Sequence, residues 1–147
     1  FWTFQQNPSS STVNIGICTN HGENCYPLGA GLPDYQDNGK LLVLDEVIYA
    51  LYLAVDKTCR IDMYNFNTGN FSGEWFNIYN ESSYLGTCRQ SMSVYTDDTG
   101  NQAMLLLGNQ NDTAELNGMT LYKPSEGWSP YGPFPFTQKK LFVDHSF

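Results

Sequence analysis

The chain has 147 residues, which suits one domain and is enough to bury a core. Seven basic residues stand against fifteen acidic ones, a net charge of −8, and apart from Lys139-Lys140 the basic residues are scattered, so nucleic acid and anionic membrane are poor candidates as partners. Charged residues make up only 15%, against about 25% in an ordinary soluble domain, and another 15% is aromatic. Ala, Lys, Arg and Glu are sparse, and the blend favours strands and turns over helices.

In chain order, the opening FWTF alternates large and small side chains and reads as a strand. Ser11 to Thr19, STVNIGICT, puts Val13, Ile15 and Ile17 on one face, the pattern of a half-buried strand. The rest of the first forty residues (NPSSS, CTNHGENC, PLGAGLP, DYQDNGK) is expected to be irregular, with Asp37-Asn38-Gly39 as a tight turn. In LLVLDEVIYALYLAVD two periods compete. A helix would align Leu44, Val47, Ile48, Leu51, Tyr52 and Val55. The β-branched and aromatic content, the missing N-cap and the Asp45-Glu46 interruption favour two strands. VIYALYLAV, the longest apolar run, is too short to span a bilayer and is expected to be core.

RIDMYNFNTGNFSGEWFNIY reads as a hairpin, with Ile61 and Met63 leading in, NTGN turning, and Phe71, Trp75, Phe76 and Ile78 leading out. SMSVY, TDDTGN and QAMLLLG follow as strand, turn and strand, then a loop and GMTLYKPSEGW. The two segments ending in Trp75 and Trp128 share a pattern of apolar strand, polar loop, strand with Met and Tyr, Gly-bearing turn and Trp. Their tryptophans lie 53 residues apart, near the roughly 50-residue period of some propeller blades. The expected fold is an all-β antiparallel sandwich. The alternative is a partial β-propeller of about three blade-like units completed by oligomerisation.

Four cysteines, Cys18, Cys25, Cys59 and Cys88, allow three pairings. Cys18–Cys25 and Cys59–Cys88 are expected because each closes a short loop; free thiols in a reducing compartment are the alternative. Each bridge is expected to contribute about 2–4 kcal/mol. Sequons at Asn70, Asn80 and Asn111 all fall in stretches read as turns or loops. Together these features point to a secreted, extracellular glycoprotein. The chain opens on Phe1-Trp2, and under this secreted reading it is expected to be a mature or trimmed form.

Chemistry-bearing motifs are few. Cys18, His21 and Cys25 have metal-like spacing, but a tetrahedral site wants a fourth ligand and a disulfide would consume both thiols, so no metal is expected. His145 follows Asp144, yet no G-x-S-x-G elbow presents a serine. Paired carboxylates for glycoside hydrolysis could come from Asp45-Glu46, Asp97-Asp98, Glu74 or Glu115, with nothing to single out a pair. No cofactor fingerprint appears, and no catalytic residue is assigned. TDDTGN has the composition of a hairpin connection. A cation or sugar-hydroxyl site shared with DYQDN is the other reading, although the loop alone has too few oxygens for calcium.

The aromatics are the stronger lead. FSGEWFNIYNESSY and EGWSPYGPFPF (126–136) carry flat rings among Asp, Asn and Gln. Such rings suit sugar C–H faces and also dominate protein hot spots. They also cap the ends of small β cores, the plainer reading. Ligand contact is accordingly expected at Trp75, Tyr79, Asp97, Asp98, Asn101, Trp128 and Tyr131. The leading expectation is a non-enzymatic extracellular recognition domain, lectin-like, binding a glycan or a protein surface through aromatic-rich loops. A structural or assembly subunit (coat, fibre or matrix protein, or a viral attachment head), acting as a homo-oligomer, comes second. A small secreted glycoside hydrolase using two carboxylates comes third.

Overall fold

The computed structural model describes residues 2–6, 13–19, 24–65, 74–83, 85–108 and 118–130. His21, Asn70, Phe71, Asn111, Glu115, Tyr131 and His145 lie outside them. The chain divides into two compact units, Phe1–Cys88 and Arg89–Phe147.

In the first unit, β1 (Trp2–Gln6), β2 (Val13–Thr19) and β3 (Asn24–Leu32) form a three-stranded antiparallel sheet in that order. β4 (Tyr35–Leu44), β5 (Val47–Ala54), β6 (Thr58–Asn65) and β7 (Phe76–Ser82) form a four-stranded antiparallel meander. In the second unit, β8 (Ser91–Thr96), β9 (Gln102–Gly108), β10 (Gly118–Lys123) and β11 (Gly127–Pro130) repeat that meander. The architecture is all-β and antiparallel, consistent with a sandwich, with no helix and no closed barrel among the described residues.

The Leu44–Val47 connection settles the competition between the two periods. Asp45 and Glu46 both take positive φ, 49° and 60°, as the two central residues of a type I′ hairpin must. Every residue of the β5 strand that follows is buried. One face, Ile48, Ala50, Tyr52 and Ala54, packs with Ile15 and Leu32 of the first sheet and with Tyr64. The other carries Val47, Tyr49, Leu51 and Leu53, and Leu53 packs on the Cys59–Cys88 disulfide. A strand covered on both sides reads as a continuous apolar run, which is why helix and strand looked alike in sequence.

Two expectations are corrected. The Asn24–Leu32 stretch is a nine-residue strand, not irregular chain. Its Pro27 and glycines are tolerated because β3 lies at the edge of its sheet and the register with β2 shifts between Asn14 and Gly16. Asp37-Asn38-Gly39 is not a turn between strands but a bulge inside β4, where the register with β5 slips between Asp37 and Lys40. Asn38 has φ 60° there, and its N–H donates to Asp37 Oδ1 at 2.8 Å.

The internal likeness seen in sequence has a structural counterpart. VIYALYLA is β5 and QAMLLLG is β9, each the second strand of its meander. The third strands supply Tyr64 and Tyr122. Trp75 rests on Tyr64 with ring centroids 5.4 Å apart, and Trp128 rests on Tyr122 at 5.0 Å. Both are tilted aromatic pairs, Trp128 within β11 and Trp75 just ahead of β7, a contact worth about 0.5–1.5 kcal/mol beyond its buried area.

Candidate functional site

The TDDTGN hairpin is held by one carboxylate. Asp97 Oδ1 accepts from Thr99 N at 2.9 Å, Thr99 Oγ1 at 2.7 Å and Asn101 N at 2.9 Å. Asp97 N donates to Asn101 O, Gly100 N donates to Asp97 O, and Gly100 takes φ 87°. The Thr99 hydroxyl, then the Asn101 and Thr99 amides and the Lys123 charge, hold the Asp97 carboxyl below its ordinary range. The stretch is therefore a turn. Asp97 Oδ1 is committed to it, while the side chains of Asp98 and Asn101 stay exposed.

Alternation of strand direction places this turn at the same end of the meander as the β10–β11 turn. That second turn is closed by Glu126 N donating to Lys123 O at 3.0 Å and by the Lys123–Glu126 ion pair at 4.0 Å. One row across the sheet runs Val94, Met104, Tyr122, Trp128, and Thr96 and Gln102 close the hairpin two residues further along. Residues facing each other in register share a sheet face. With strands about 4.8 Å apart and about 3.3 Å per residue along them, the half-buried Trp128 lies roughly 14–18 Å from the Asp97–Asn101 turn. Four of the expected contact residues, Asp97, Asp98, Asn101 and Trp128, thus gather at one end of one sheet.

The first unit separates the others. β7 pairs Asn77 with Asp62 but Tyr79 with Ile61, so a bulge at Ile78 reverses which face each later residue takes. Trp75 lies on the Asp62 side, against Tyr64. Tyr79 lies on the Ile61 side with Phe76, which pairs with Met63 and is 60% exposed. Spacing of four residues along a strand implies a shared face; the bulge breaks that rule here.

Sequence reasoning missed a buried polar cluster. Asp62 is 1% exposed. Its Oδ2 accepts from the Tyr52 hydroxyl at 2.8 Å, and its Oδ1 accepts from Asn77 Nδ2 at 2.8 Å. The same amide donates to Tyr79 O at 3.0 Å, so Asn77 fills the gap opened by the bulge. Burial, then the Asp62 charge and hydrogen bond, push the Tyr52 phenol far above its ordinary value. Beside it Arg60 donates to Asp56 at 2.7 Å and to Asp34 at 3.5 Å, while Asp56 Oδ1 accepts from Thr58 N and Thr58 Oγ1. The hydrogen bonds from Thr58 and Arg60 lower the Asp56 carboxyl to about 2. The one available signal was an acid at an inward position of the alternating strand RIDMY. Both oxygens of Asp62 hold a protein donor, which makes this a structural network.

Asp45 and Glu46 occupy the type I′ turn, Asp97 is tied into its own loop, and Glu74 is exposed. Among the described residues no cluster of three His, Cys, Asp or Glu side chains could hold a metal. Cys59 and Cys88 are bridged, with Cα atoms 5.6 Å apart. Cys18 is disulfide-bonded and stands opposite Cys25 in the β2–β3 register. A disulfide is compatible with an extracellular protein, and among the described residues no helix is long and apolar enough to cross a membrane. The chain matches no protein-family model, no curated protein and no solved structure.

Proposed function

We propose that this chain is a non-enzymatic, secreted recognition domain that binds neutral oligosaccharides in the manner of a lectin. The reading rests on one observation: a half-buried tryptophan, Trp128, shares one end of the second unit's sheet with a rigid hairpin bearing Asp98 and Asn101. A flat ring takes a sugar's C–H face, and carboxylate and amide groups take its hydroxyl edge. Tyr122 backs the indole and fixes its angle, which lowers the entropy lost on binding. The roughly 14–18 Å between ring and hairpin suits a ligand of several rings. A net charge of −8 disfavours sialylated or sulfated glycans. The test is an array of immobilised glycans probed with the secreted protein and with Trp128→Ala. Binding to neutral oligosaccharides that Trp128→Ala loses supports the proposal, and a folded chain that binds none of them contradicts it.

A second reading, an assembly subunit or protein-binding module, is favoured by Phe76 at 60%, Leu85 at 84% and Val55 at 57% exposure, all in the first unit. Light scattering separates the two. A monomer supports recognition, and a defined oligomer supports assembly.

A further inference from the structure

The first unit's meander ends in two edges that are guarded differently. β4 carries the Asp37–Lys40 bulge and the exposed Lys40, two ordinary devices against pairing with another chain. β7, FNIYNES, shares only the bulge, at Ile78: it has no Lys or Pro, its only charged side chain is Glu81, and it spans seven residues with Phe76 exposed. Among the described residues it is the last strand of its sheet. Within this strand lies the sequon Asn80-Glu81-Ser82, and Asn80 and Ser82 are both exposed.

We infer that Asn80 carries an N-linked glycan whose role is to keep the β7 edge from pairing with other chains. Register sets the geometry. Asn80 pairs with Arg60 and Ser82 with Thr58, whereas Tyr79, Glu81 and Phe76 pair with Ile61, Cys59 and Met63 on the opposite face. The Ile78 bulge therefore sends the glycan to one side of the strand, with the exposed Phe76 and the half-buried Tyr79 on the other. In the transfer, the Asn80 side-chain nitrogen attacks C1 of an oligosaccharide linked to a polyisoprenyl pyrophosphate. It loses one proton, the pyrophosphate lipid leaves, and nothing is oxidised or reduced. A hydrated sugar of this bulk beside the edge excludes an incoming strand as a lysine would. The inference rests on the secreted reading above.

The test is expression of the chain in glycosylating secretory cells, with peptide mapping of Asn80 and light scattering over a tenfold range of concentration. The expected result is an occupied Asn80 and a monomer. Asn80→Gln and Ser82→Ala should each raise the weight-average mass at least twofold at the highest concentration. Asn80→Lys, which removes the sugar but restores an edge charge, should return the mass to that of a monomer. A secreted, disulfide-bonded chain with bare Asn80 overturns the inference, as does an Asn80→Gln protein that stays monomeric throughout. A chain retained in the cell with reduced cysteines overturns the secreted reading, and this inference falls with it.

Discussion

Asp62 sits opposite Ala50 in a strand pair whose neighbours are apolar, and its burial is tolerated because two donors reach it. Tyr52→Phe keeps the ring and removes one donor, leaving a buried carboxylate oxygen without its partner. A loss of about 1–3 kcal/mol in urea unfolding is expected, and a change under about 0.5 kcal/mol would mean that water replaces the hydroxyl. Asp56 offers a test in pH. Its folded value of about 2 lies below the ordinary 3.8. Its contribution is therefore fully present above about pH 4 and lost as pH falls through 2. Asp56→Asn should flatten the acid limb of the melting-temperature profile in that window and leave the profile near neutrality unchanged in slope. Gly108 is a third residue-scale case. A β-carbon there would overlap Gln90 Cγ and lie 3.0 Å from Gln90 Cβ and 3.3 Å from its Cα. Gly108→Ala should cost about 1–3 kcal/mol, read by the same unfolding measurement.

At the scale of elements, the hairpins were the legible part. Asp45-Glu46 between apolar runs, TDDTGN and PSEG each turned where turn chemistry stood between alternating strands. The turn at 45–46 is nonetheless poorly suited to its conformation, because glutamate in the left-handed region is strained. Replacing Asp45-Glu46 with Asn-Gly should raise stability by about 0.5–1 kcal/mol, and no gain would mean that the hairpin is set by β5 packing alone. Bulges were the illegible part. Those at Asp37–Lys40, Asn14–Gly16 and Ile78 insert residues whose spacing no alternation rule records. They account for the missed strand β3 and for Trp75 and Tyr79 facing apart. The Asp62 cluster escaped notice for a related reason. Asn77 reaches it only because of the bulge, so its partners are neighbours in space and not in pattern.

For the whole molecule, the composition pointed to an all-β antiparallel chain, and the repeated Tyr–Trp pair has the same place in each four-stranded meander. Equivalent pairs with unequal surroundings are informative. Trp128 lies in the meander that also carries the Asp97–Asn101 hairpin, while Trp75 neighbours the buried Asp62 network. The proposed function therefore predicts an asymmetry between two tryptophans that look interchangeable in sequence. The most direct measurement is fluorine NMR of protein labelled with fluorotryptophan, titrated with a panel of neutral trisaccharides and with a sialylated one as control. Resonances are assigned through Trp75→Phe and Trp128→Phe. The account predicts a saturable shift of the Trp128 resonance with at least one neutral trisaccharide, little change at Trp75, and no response to the sialylated control. A shift confined to Trp75, or no shift at any tryptophan across the panel, would contradict it.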